Sequence, residues 1–276
     1  MGSYRYEILR ETTTDSLIME NNTREKKMNS NVYGIDLGTC NMKIYCKTSN
    51  KILNEKNTIA LVKKDQIYAY GDAAYAMYEK APETINVTFP VISGVIADFN
   101  NLQTMLQMYL EEHMKGKIRG AEFIVAVPTD ITDVEKRAFF EMFYKSKLKP
   151  KSVLLCEKPI ADAVGLGLDV NEPTGIMVVD IGADTTEISV ISLGGLVLSD
   201  LLHFGGNRID ESIITYVKRT YNLVIGQKTA QALKEKLGSG IPGNTETMVI
   251  VGRDVVSGLP IEMEDHRGSC LRGDQG

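Results

Sequence analysis

The sequence repeats one short design, YGIDLGT at residues 33–39 and MVVDIGADTT at residues 177–186. In each copy a strand-like apolar run leads to an aspartate, an apolar residue and a glycine, with threonine close behind. The segments after the two turns, at residues 43–46 and 187–191, are again rich in strand-forming residues. Both copies therefore predict tight β-hairpins.

The residue types at the two turns predict a polyanion site. Glycine lets a hairpin backbone approach a ligand closely, and turn amides can form an anion nest. The carboxylates of Asp36 and Asp180 suit a hydrated divalent cation. The alternative for each is a turn aspartate that bonds local amides. If the two hairpins face each other, they would clamp a metal-bound polyphosphate.

Composition narrows the class of protein. The 276 residues suffice for one large domain or two medium ones, with 43% hydrophobic and 24% charged residues. A net charge of −5 gives no support to a nucleic-acid partner. No apolar run reaches the ~20 residues that span a bilayer, and the polar first thirty residues argue against a signal peptide. Four scattered cysteines and three histidines argue against zinc and favour a reduced, cytosolic protein.

Periodicity predicts α/β layers around each hairpin. The first hairpin is followed by a helix over 101–115, capped by Asp98 or Asn100, then by a strand over 123–128 and a helix over 132–147. Turn residues at 172–175 suggest a boundary before the second hairpin. The elements predicted after it are helices over 209–221 and 229–237 and a strand over 248–251. A duplicated α/β module, with ligands where the halves meet, is the simplest interpretation.

Further motifs give the chain a family resemblance. DLGTCN at 36–41 is similar to the first phosphate motif, Asp-Leu-Gly-Thr-x-Asn, of MreB-like proteins in the actin-like ATPase superfamily. The remaining matches are GVIADF at 94–99, VP at 127–128, TDVEKR at 132–137, EKP at 157–159, SLGG at 192–195, YNL at 221–223 with IG at 225–226, GRD at 252–254 and GLP at 258–260. They follow the family order from about residue 32 to 260.

The resemblance implies an α/β actin-like ATPase fold, in which duplicated RNase H-like modules flank a nucleotide cleft and the second module is incomplete. Domain I would span 32–174, with a small inserted subdomain at about 53–85, and a truncated domain II would span 175–261. Residues 1–31 would form a disordered extension, and 262–276 an unstructured tail.

The resemblance also implies roles for individual residues. Asp36 and Asp180 would hold Mg²⁺ through water, and the hairpins would contact the phosphates of ATP through Gly38, Thr39, Cys40, Asn41, Lys43, Gly182, Ala183, Asp184, Thr185 and Thr186. A helix N-terminus at Gly205, Gly206 and Asn207 would face the nucleotide, and Gln231 and Lys234 would contact ribose and base. The alternatives are ordinary hairpin chemistry, a solvated strand lysine at 43 and surface helix residues at 231 and 234.

Glu135 matches the glutamate with which MreB-like proteins orient the water that attacks the γ-phosphate. A single carboxylate on a rigid helix suffices for that role, because phosphoryl transfer needs mainly positioning and charge stabilisation. Thr132 and Glu135 also form a Ser/Thr-x-x-Glu capping box, which is the structural alternative.

Two departures from the family pattern bear on activity. Ala183 and Asp184 replace two glycines of the second phosphate motif. An alanine at positive φ costs ~1–2 kcal/mol, and a carboxylate about 5 Å from a phosphate is repelled by roughly 3 kcal/mol. Both effects would weaken the binding of the phosphates and therefore disfavour ATP turnover. The loop that family members dip into the membrane corresponds to MKGKIRG at 114–120, which is basic and only weakly apolar.

The resemblance predicts an ATP-binding bacterial actin homologue, cytoplasmic and peripherally membrane-associated, with weak ATPase activity. Its filaments would organise cell-wall synthesis and rod shape, with further copies of the chain, the membrane surface and the wall-elongation machinery as partners. The alternatives are a degenerate, non-polymerising relative, and a DnaK-type chaperone half or sugar kinase. A P-loop enzyme is excluded because GxxxxGK[ST] is absent.

Overall fold

The computed structural model describes residues 31–63, 66–114, 118–239 and 246–266. The chain forms two compact units, the first ending at His203 and the second beginning at Phe204. The second hairpin thus belongs to the first compact unit, whereas the sequence placed a domain boundary before it, at 174/175. Its assignment to a second duplicated module stays a prediction.

A five-stranded mixed sheet forms the centre of the first unit, in the order β10-β9-β1-β2-β3. The predicted first hairpin is confirmed, since β1 and β2 pair antiparallel, and β9 and β10 extend the sheet in parallel. Apolar side chains alternate along β1, so that Tyr33, Ile35 and Leu37 are buried. The strands are β1 (Val32–Leu37), β2 (Asn41–Cys46), β3 (Lys51–Lys56), β9 (Glu122–Val127) and β10 (Ser152–Glu157).

Two amphipathic helices, α2 (Phe99–His113) and α3 (Asp133–Tyr144), contribute to the same core. Asp98 caps α2 as predicted, because its side chain accepts a hydrogen bond from the Asn101 N–H at 3.1 Å. The core also contains Tyr33 stacked on Phe123, with ring centroids 5.5 Å apart. A shorter helix, α4 (Lys158–Gly165), begins directly where β10 ends.

A separate small sheet lies in the region predicted as an inserted subdomain. Its strand order is β5-β4-β6, and helix α1 (Gly71–Met77) follows β5. A two-stranded hairpin, β7 (Val91–Ile92) and β8 (Val95–Ile96), comes next in the chain. The sheet strands are β4 (Ile59–Val62), β5 (Gln66–Tyr70) and β6 (Ile85–Thr88).

The second predicted hairpin is also confirmed. β11 (Ile176–Ile181) pairs antiparallel with β12 (Thr186–Ser192), and β13 (Gly195–Leu202) completes a three-stranded sheet. This sheet packs on α4 through a small buried cluster of Ala163, Val178 and Ile191. Helix α4 thereby links the second hairpin to the central sheet.

The second unit contains two helices and a small antiparallel sheet around the buried side chains Ile213, Val217, Leu233 and Ile250. The predicted helices and strand are present, each slightly longer than expected. The strand order is β14-β15-β16. The elements are α5 (Gly206–Tyr221), β14 (Leu223–Val224), α6 (Gln227–Leu237), β15 (Thr247–Asp254) and β16 (Pro260–His266).

The predicted unstructured tail needs a correction at its start. Residues 262–266 belong to β16 and pair with β15, from Val251 opposite Glu262 to Thr247 opposite His266. Backbone pairing with a neighbouring strand forms a ladder here despite the weak apolar periodicity of this segment. The rest of the tail lies outside the described residues, as do residues 1–30 of the predicted 1–31 extension and residues 115–117 of the predicted membrane loop. Asn31 is described and is buried. No helix in the described segments combines the length and the apolarity that crossing a membrane requires.

Candidate phosphate-binding site

The turns of both hairpins line one cavity of about 230 Å³ in the first unit. Asp36 and Asp180 both face this cavity, although 143 residues of chain separate them. Most of the predicted hairpin contacts line it too, namely Gly38, Thr39, Cys40, Asn41, Lys43, Gly182, Ala183 and Thr185. The remaining lining includes Gly94, Pro128, Lys158 and Glu187. The fold therefore brings together three carboxylates, several hydroxyl and amide groups and two lysines.

The first turn requires glycine at position 38, and the second turn leaves little room for a side chain at position 182. A Cβ on Gly38 would lie 2.8 Å from the Asn41 carbonyl oxygen, and one on Gly182 would lie 3.1 Å from that of Thr185. The Gly182 N–H donates to the Thr185 carbonyl at 2.8 Å, so this amide closes the turn. The first turn is fixed from outside, because Asn57 Nδ2 donates to the Gly38 carbonyl at 2.8 Å.

Each aspartate is paired with a lysine. Lys43 Nζ lies 2.9 Å from Asp36 Oδ2, across the first hairpin. Lys158 Nζ lies 2.9 Å from Asp180 Oδ2, and Lys158 is the first residue of α4. Burial lowers the pKa of Lys158, but the carboxylates of Asp36, Asp180 and Asp162 raise it, and the net shift is upward. The ammonium group is therefore charged at neutral pH.

Asp162 lies one helical turn after Lys158 on α4. Its Oδ2 is buried and has no hydrogen-bond partner among the described residues. Burial, followed by repulsion from Asp180, raises the pKa of Asp162 to about 6. This side chain adds a weakly solvated acidic group behind the second hairpin.

Glu187 connects the second hairpin to the loop after β9. Its side chain is buried, and Oε1 accepts hydrogen bonds from the Thr129 N–H at 3.1 Å and from the Thr129 hydroxyl. The Ser199 hydroxyl donates to the same oxygen at 3.3 Å. A buried carboxylate is tolerated when several donors satisfy it, as these three do. Glu187 thus fixes one wall of the cavity.

Sequence reasoning missed Lys158, Asp162 and Glu187. A signal was present for Lys158, since it follows a buried strand directly and opens a helix, at the carboxyl edge where ligands bind in α/β sheets. The alternation of β12 also places Glu187 on the same face as Ser189 and Ile191, which are both buried. Nothing in the sequence placed Asp162 close to a hairpin 18 residues further on.

Asp184 is not part of the cavity lining, and its predicted contact with phosphate stays a prediction. Its Oδ2 accepts a hydrogen bond from the Ser93 N–H at 2.8 Å, in the turn between β7 and β8. The next amide of that turn, Gly94, donates to Thr39 Oγ1 of the first hairpin at 3.3 Å. One turn therefore contacts both hairpins, and the carboxylate expected to repel phosphate is held by an N–H outside the cavity lining.

The strain expected at Ala183 is absent. Ala183 is not among the described non-glycine residues with positive φ, so the second turn accommodates a Cβ there. Thr186 is buried as the first residue of β12, opposite Ile181, and does not line the cavity. Only the strain predicted at Ala183 is corrected, because the turn conformation rather than the residue type decides its cost. A phosphate contact by Thr186 stays a prediction.

Glu135 closes the predicted capping box at the start of α3. Its Oε2 accepts from the Thr132 N–H and hydroxyl, both at 2.7 Å, and its own N–H donates to Thr132 Oγ1 at 3.3 Å. Glu135 is not part of the cavity lining. The structural alternative is therefore confirmed, and the catalytic role stays a prediction.

The remaining predicted contacts belong to the second unit. Gly205 caps α5, and Gly206 and Asn207 are its first residues. On α6, Gln231 donates to Glu235 at 2.8 Å, and Lys234 Nζ lies 2.8 Å from the buried Asp210 carboxylate and 2.9 Å from the Gly206 carbonyl. Lys234 thus has a structural role at the start of α5, and nucleotide contacts by these residues stay a prediction.

The cavity residues fit a magnesium ion held together with phosphates. Mg²⁺ keeps several waters and is bound through one or two carboxylates plus phosphate oxygens. Asp36 and Asp180 provide two carboxylates at one cavity, with hydroxyl groups from Thr39 and Thr185 nearby. Within the described segments no group of three or more His, Cys, Asp or Glu side chains could hold a metal alone.

Comparison with known proteins identifies the class first. The structure matches the crystal structure of MreB5 of Spiroplasma citri bound to AMPPNP with a TM-score of 0.83 and 32% identity, covering 88% of this chain and 73% of that one. A hairpin-clamped cavity in such a fold defines an actin-like protein.

The family follows from sequence comparison. Residues 30–268 match the family model described as MreB/Mbl protein. The chain is 40% identical over 230 residues to the cell shape-determining protein Mbl of Bacillus subtilis, covering 82% of this chain and 68% of Mbl. It is also 40% identical over 242 residues to MreB of Escherichia coli K12, covering 84% and 69%. The chain belongs to the MreB/Mbl family, which replaces the chaperone and sugar-kinase alternatives.

Proposed function

We propose that this protein binds ATP with Mg²⁺ in the hairpin cavity and acts as a cytoskeletal, cell-shape protein. The observation that carries the nucleotide proposal is the presence of Asp36 and Asp180 at one cavity lined by both glycine turns. Structural similarity to an MreB5 bound to AMPPNP supports it further.

The cavity residues have distinct roles in this proposal. Asp36 and Asp180 hold the hydrated cation, which neutralises phosphate charge when it is bound. Thr39 and Thr185 donate hydroxyl hydrogen bonds to phosphate oxygens, and Gly38 and Gly182 keep the backbone close to them. Glu187 keeps the wall of the cavity in place through Thr129 and Ser199.

Binding is tested by calorimetric titration of the whole chain with Mg-ATP. We expect submillimolar affinity for the wild type and a loss of about tenfold or more for Asp180→Asn, because one carboxylate holding the cation is neutralised. Asp169→Asn is the matched control, since Asp169 is an exposed turn aspartate that accepts from the Asn171 N–H at 3.0 Å. Wild-type protein that shows no heat of binding up to millimolar Mg-ATP would refute the proposal.

ATP hydrolysis is a separate proposal and depends on Glu135. The carboxylate orients an attacking water only when it leaves the capping box, so turnover is slow. Phosphate release should fall in Glu135→Gln and persist in Thr132→Ala, which weakens the cap but keeps the carboxylate. Equal loss in both variants would assign Glu135 to the cap alone.

Self-association into membrane-associated filaments in the cytoplasm, which organise wall synthesis, completes the proposal. Head-to-tail assembly needs two complementary surfaces on each copy. Sedimentation with Mg-ATP, with and without vesicles of anionic lipid, measures both properties. A chain that stays in the supernatant at all concentrations would instead be the non-polymerising relative.

A further inference from the structure

The two lysines at the cavity differ in how firmly they are held. The Lys43 side chain is 53% exposed and extends from a strand, whereas that of Lys158 is 23% exposed and starts a helix. The buried cluster beneath α4 fixes the position of that helix. Lys158 is therefore a preorganised charge, and Lys43 is a solvated one.

Lys158 also interacts with both hairpins. Its ammonium group is hydrogen-bonded to Asp180 and is attracted by the Asp36 carboxylate as well. Both aspartates and Lys158 line the same cavity. The lysine consequently interacts with the same pair of carboxylates that a divalent cation would share.

We propose that Lys158 is a built-in cation of the phosphate site, which lets the cavity bind a nucleotide polyphosphate without a metal ion. This inference rests on the proposed nucleotide binding and deepens it. Mg²⁺ would compete with the Lys158 ammonium group for Asp180, so the metal adds less to affinity than it would at an uncompensated pair of aspartates.

The charges of the lining show what Lys158 contributes, because carboxylates outnumber lysines there and each lysine limits the repulsion of a polyphosphate. The charged side chains facing the cavity are Asp36, Asp180 and Glu187 on the negative side and Lys43 and Lys158 on the positive side. Removing Lys158 makes the charge of the lining more negative by one unit, and it removes the less solvent-exposed of the two lysines. A unit charge about 5 Å from a phosphate group corresponds to about 10- to 100-fold in affinity at an effective dielectric constant of ~20 with partial solvent screening.

The test is calorimetric titration with ATP, once in excess EDTA and once in excess MgCl₂. For the wild type we expect the two dissociation constants to agree within about tenfold. Lys158→Gln should weaken binding in EDTA by about 10- to 100-fold and change binding in MgCl₂ by less than about threefold. Lys158→Arg should restore binding in EDTA, because it keeps the charge.

Two further variants serve as comparisons. Lys151→Gln removes a lysine of similar exposure to Lys43 from an ion pair with Glu122 on the central sheet, outside the cavity lining, and should leave both titrations unchanged. Lys43→Gln should weaken binding in EDTA less than Lys158→Gln does, because the Lys43 side chain is more than half exposed. A thermal melt of each variant establishes that it is folded.

The outcomes separate the inference from the proposed function. If the wild type binds ATP in MgCl₂ but not in EDTA, the proposed role of Lys158 is refuted, whereas the proposed nucleotide binding is supported. The inference also fails if Lys158→Gln weakens both titrations by the same factor or neither. If the wild type binds ATP in neither buffer, the proposed function fails as well. The comparison of wild-type ATP binding in EDTA and in MgCl₂ uses no variant. It therefore tests the inference even if a variant misfolds.

Discussion

The two hairpins have nearly the same sequence but compensate the charge of their aspartates in different ways. In the first hairpin, Asp36 lies opposite Lys43, so its counterion comes from the neighbouring strand. In the second hairpin, Asp180 lies opposite Glu187, and its counterion comes from Lys158 at the start of α4. The first arrangement is local and exposed, and the second depends on tertiary structure.

This difference shows that a duplicated motif fixes a shape but not an electrostatic environment. The glycine turn and the aspartate position are the same in both copies. The cross-strand position is free to carry a lysine or a glutamate, because it lies outside the turn. In the second copy Glu187 serves to attach the loop after β9, and that role requires a compensating lysine elsewhere.

The largest effect on stability is expected at Glu187. Glu187→Ala should lower the free energy of unfolding by about 2–4 kcal/mol, because it leaves the Thr129 N–H and hydroxyl without their charged acceptor. Urea denaturation measures the change. Glu122→Ala is the control, since it breaks an ion pair with the half-exposed Lys151 and should cost at most about 1 kcal/mol. Equal losses would show that the buried bridge is no stronger than a surface pair.

A pH-dependent effect is expected at Asp162. The pKa of about 6 in the folded protein lies above the ordinary value of 3.8, so the folded state binds this proton more tightly than the unfolded one. Stability contributed by the protonated form is therefore lost as pH rises from about 4 to about 6. Asp162→Asn should stabilise the protein by about 1–3 kcal/mol at pH 7.5 and by much less at pH 4.5.

Urea denaturation of wild type and Asp162→Asn at the two pH values tests this expectation. Asp169→Asn provides the matched control, because this exposed aspartate should shift stability little at either pH. If Asp162→Asn raises the free energy of unfolding equally at pH 4.5 and pH 7.5, titration of Asp162 does not contribute to the pH dependence of stability.

A smaller difference is expected between the two lysines. Lys158→Gln should lower the free energy of unfolding by about 1–2 kcal/mol, because a partly buried aspartate loses its partner. Lys43→Gln should cost at most about 1 kcal/mol, as is usual for exposed pairs. Thermal melts in low and high salt compare them, and the Lys43 pair should be the more sensitive to salt. The reverse ranking would contradict the distinction between a local and a tertiary counterion.

The smallest effect is expected at Asp184. Its carboxylate is held by the Ser93 N–H, so Asp184→Asn should change Mg-ATP affinity by less than about threefold. The full repulsion between Asp184 and phosphate that the sequence predicts corresponds to about 100-fold in Mg-ATP affinity. A calorimetric titration distinguishes the two, and a gain of tenfold or more would mean that the carboxylate faces the phosphates after all.

Much of the fold could be predicted from local patterns. The hairpins at 33–46 and 177–191, the Asp98 cap and the box between Thr132 and Glu135 all depend on neighbours within a few residues. A short stretch of sequence is therefore enough to predict each of these features. The unstructured tail from Glu262 was predicted incorrectly at its start, because the pairing of β16 with β15 is not visible in its own periodicity.

The sequence by itself determined the two glycine turns, their aspartates and the family to which the chain belongs, because these are properties of short contiguous motifs. Only the tertiary structure decided that Lys158 neutralises Asp180, that Glu187 is buried as a bridge and that Asp184 bonds to Ser93. The physical reason is that the strength of a charge interaction depends on distance and burial. Both are set by how elements far apart in the chain pack together.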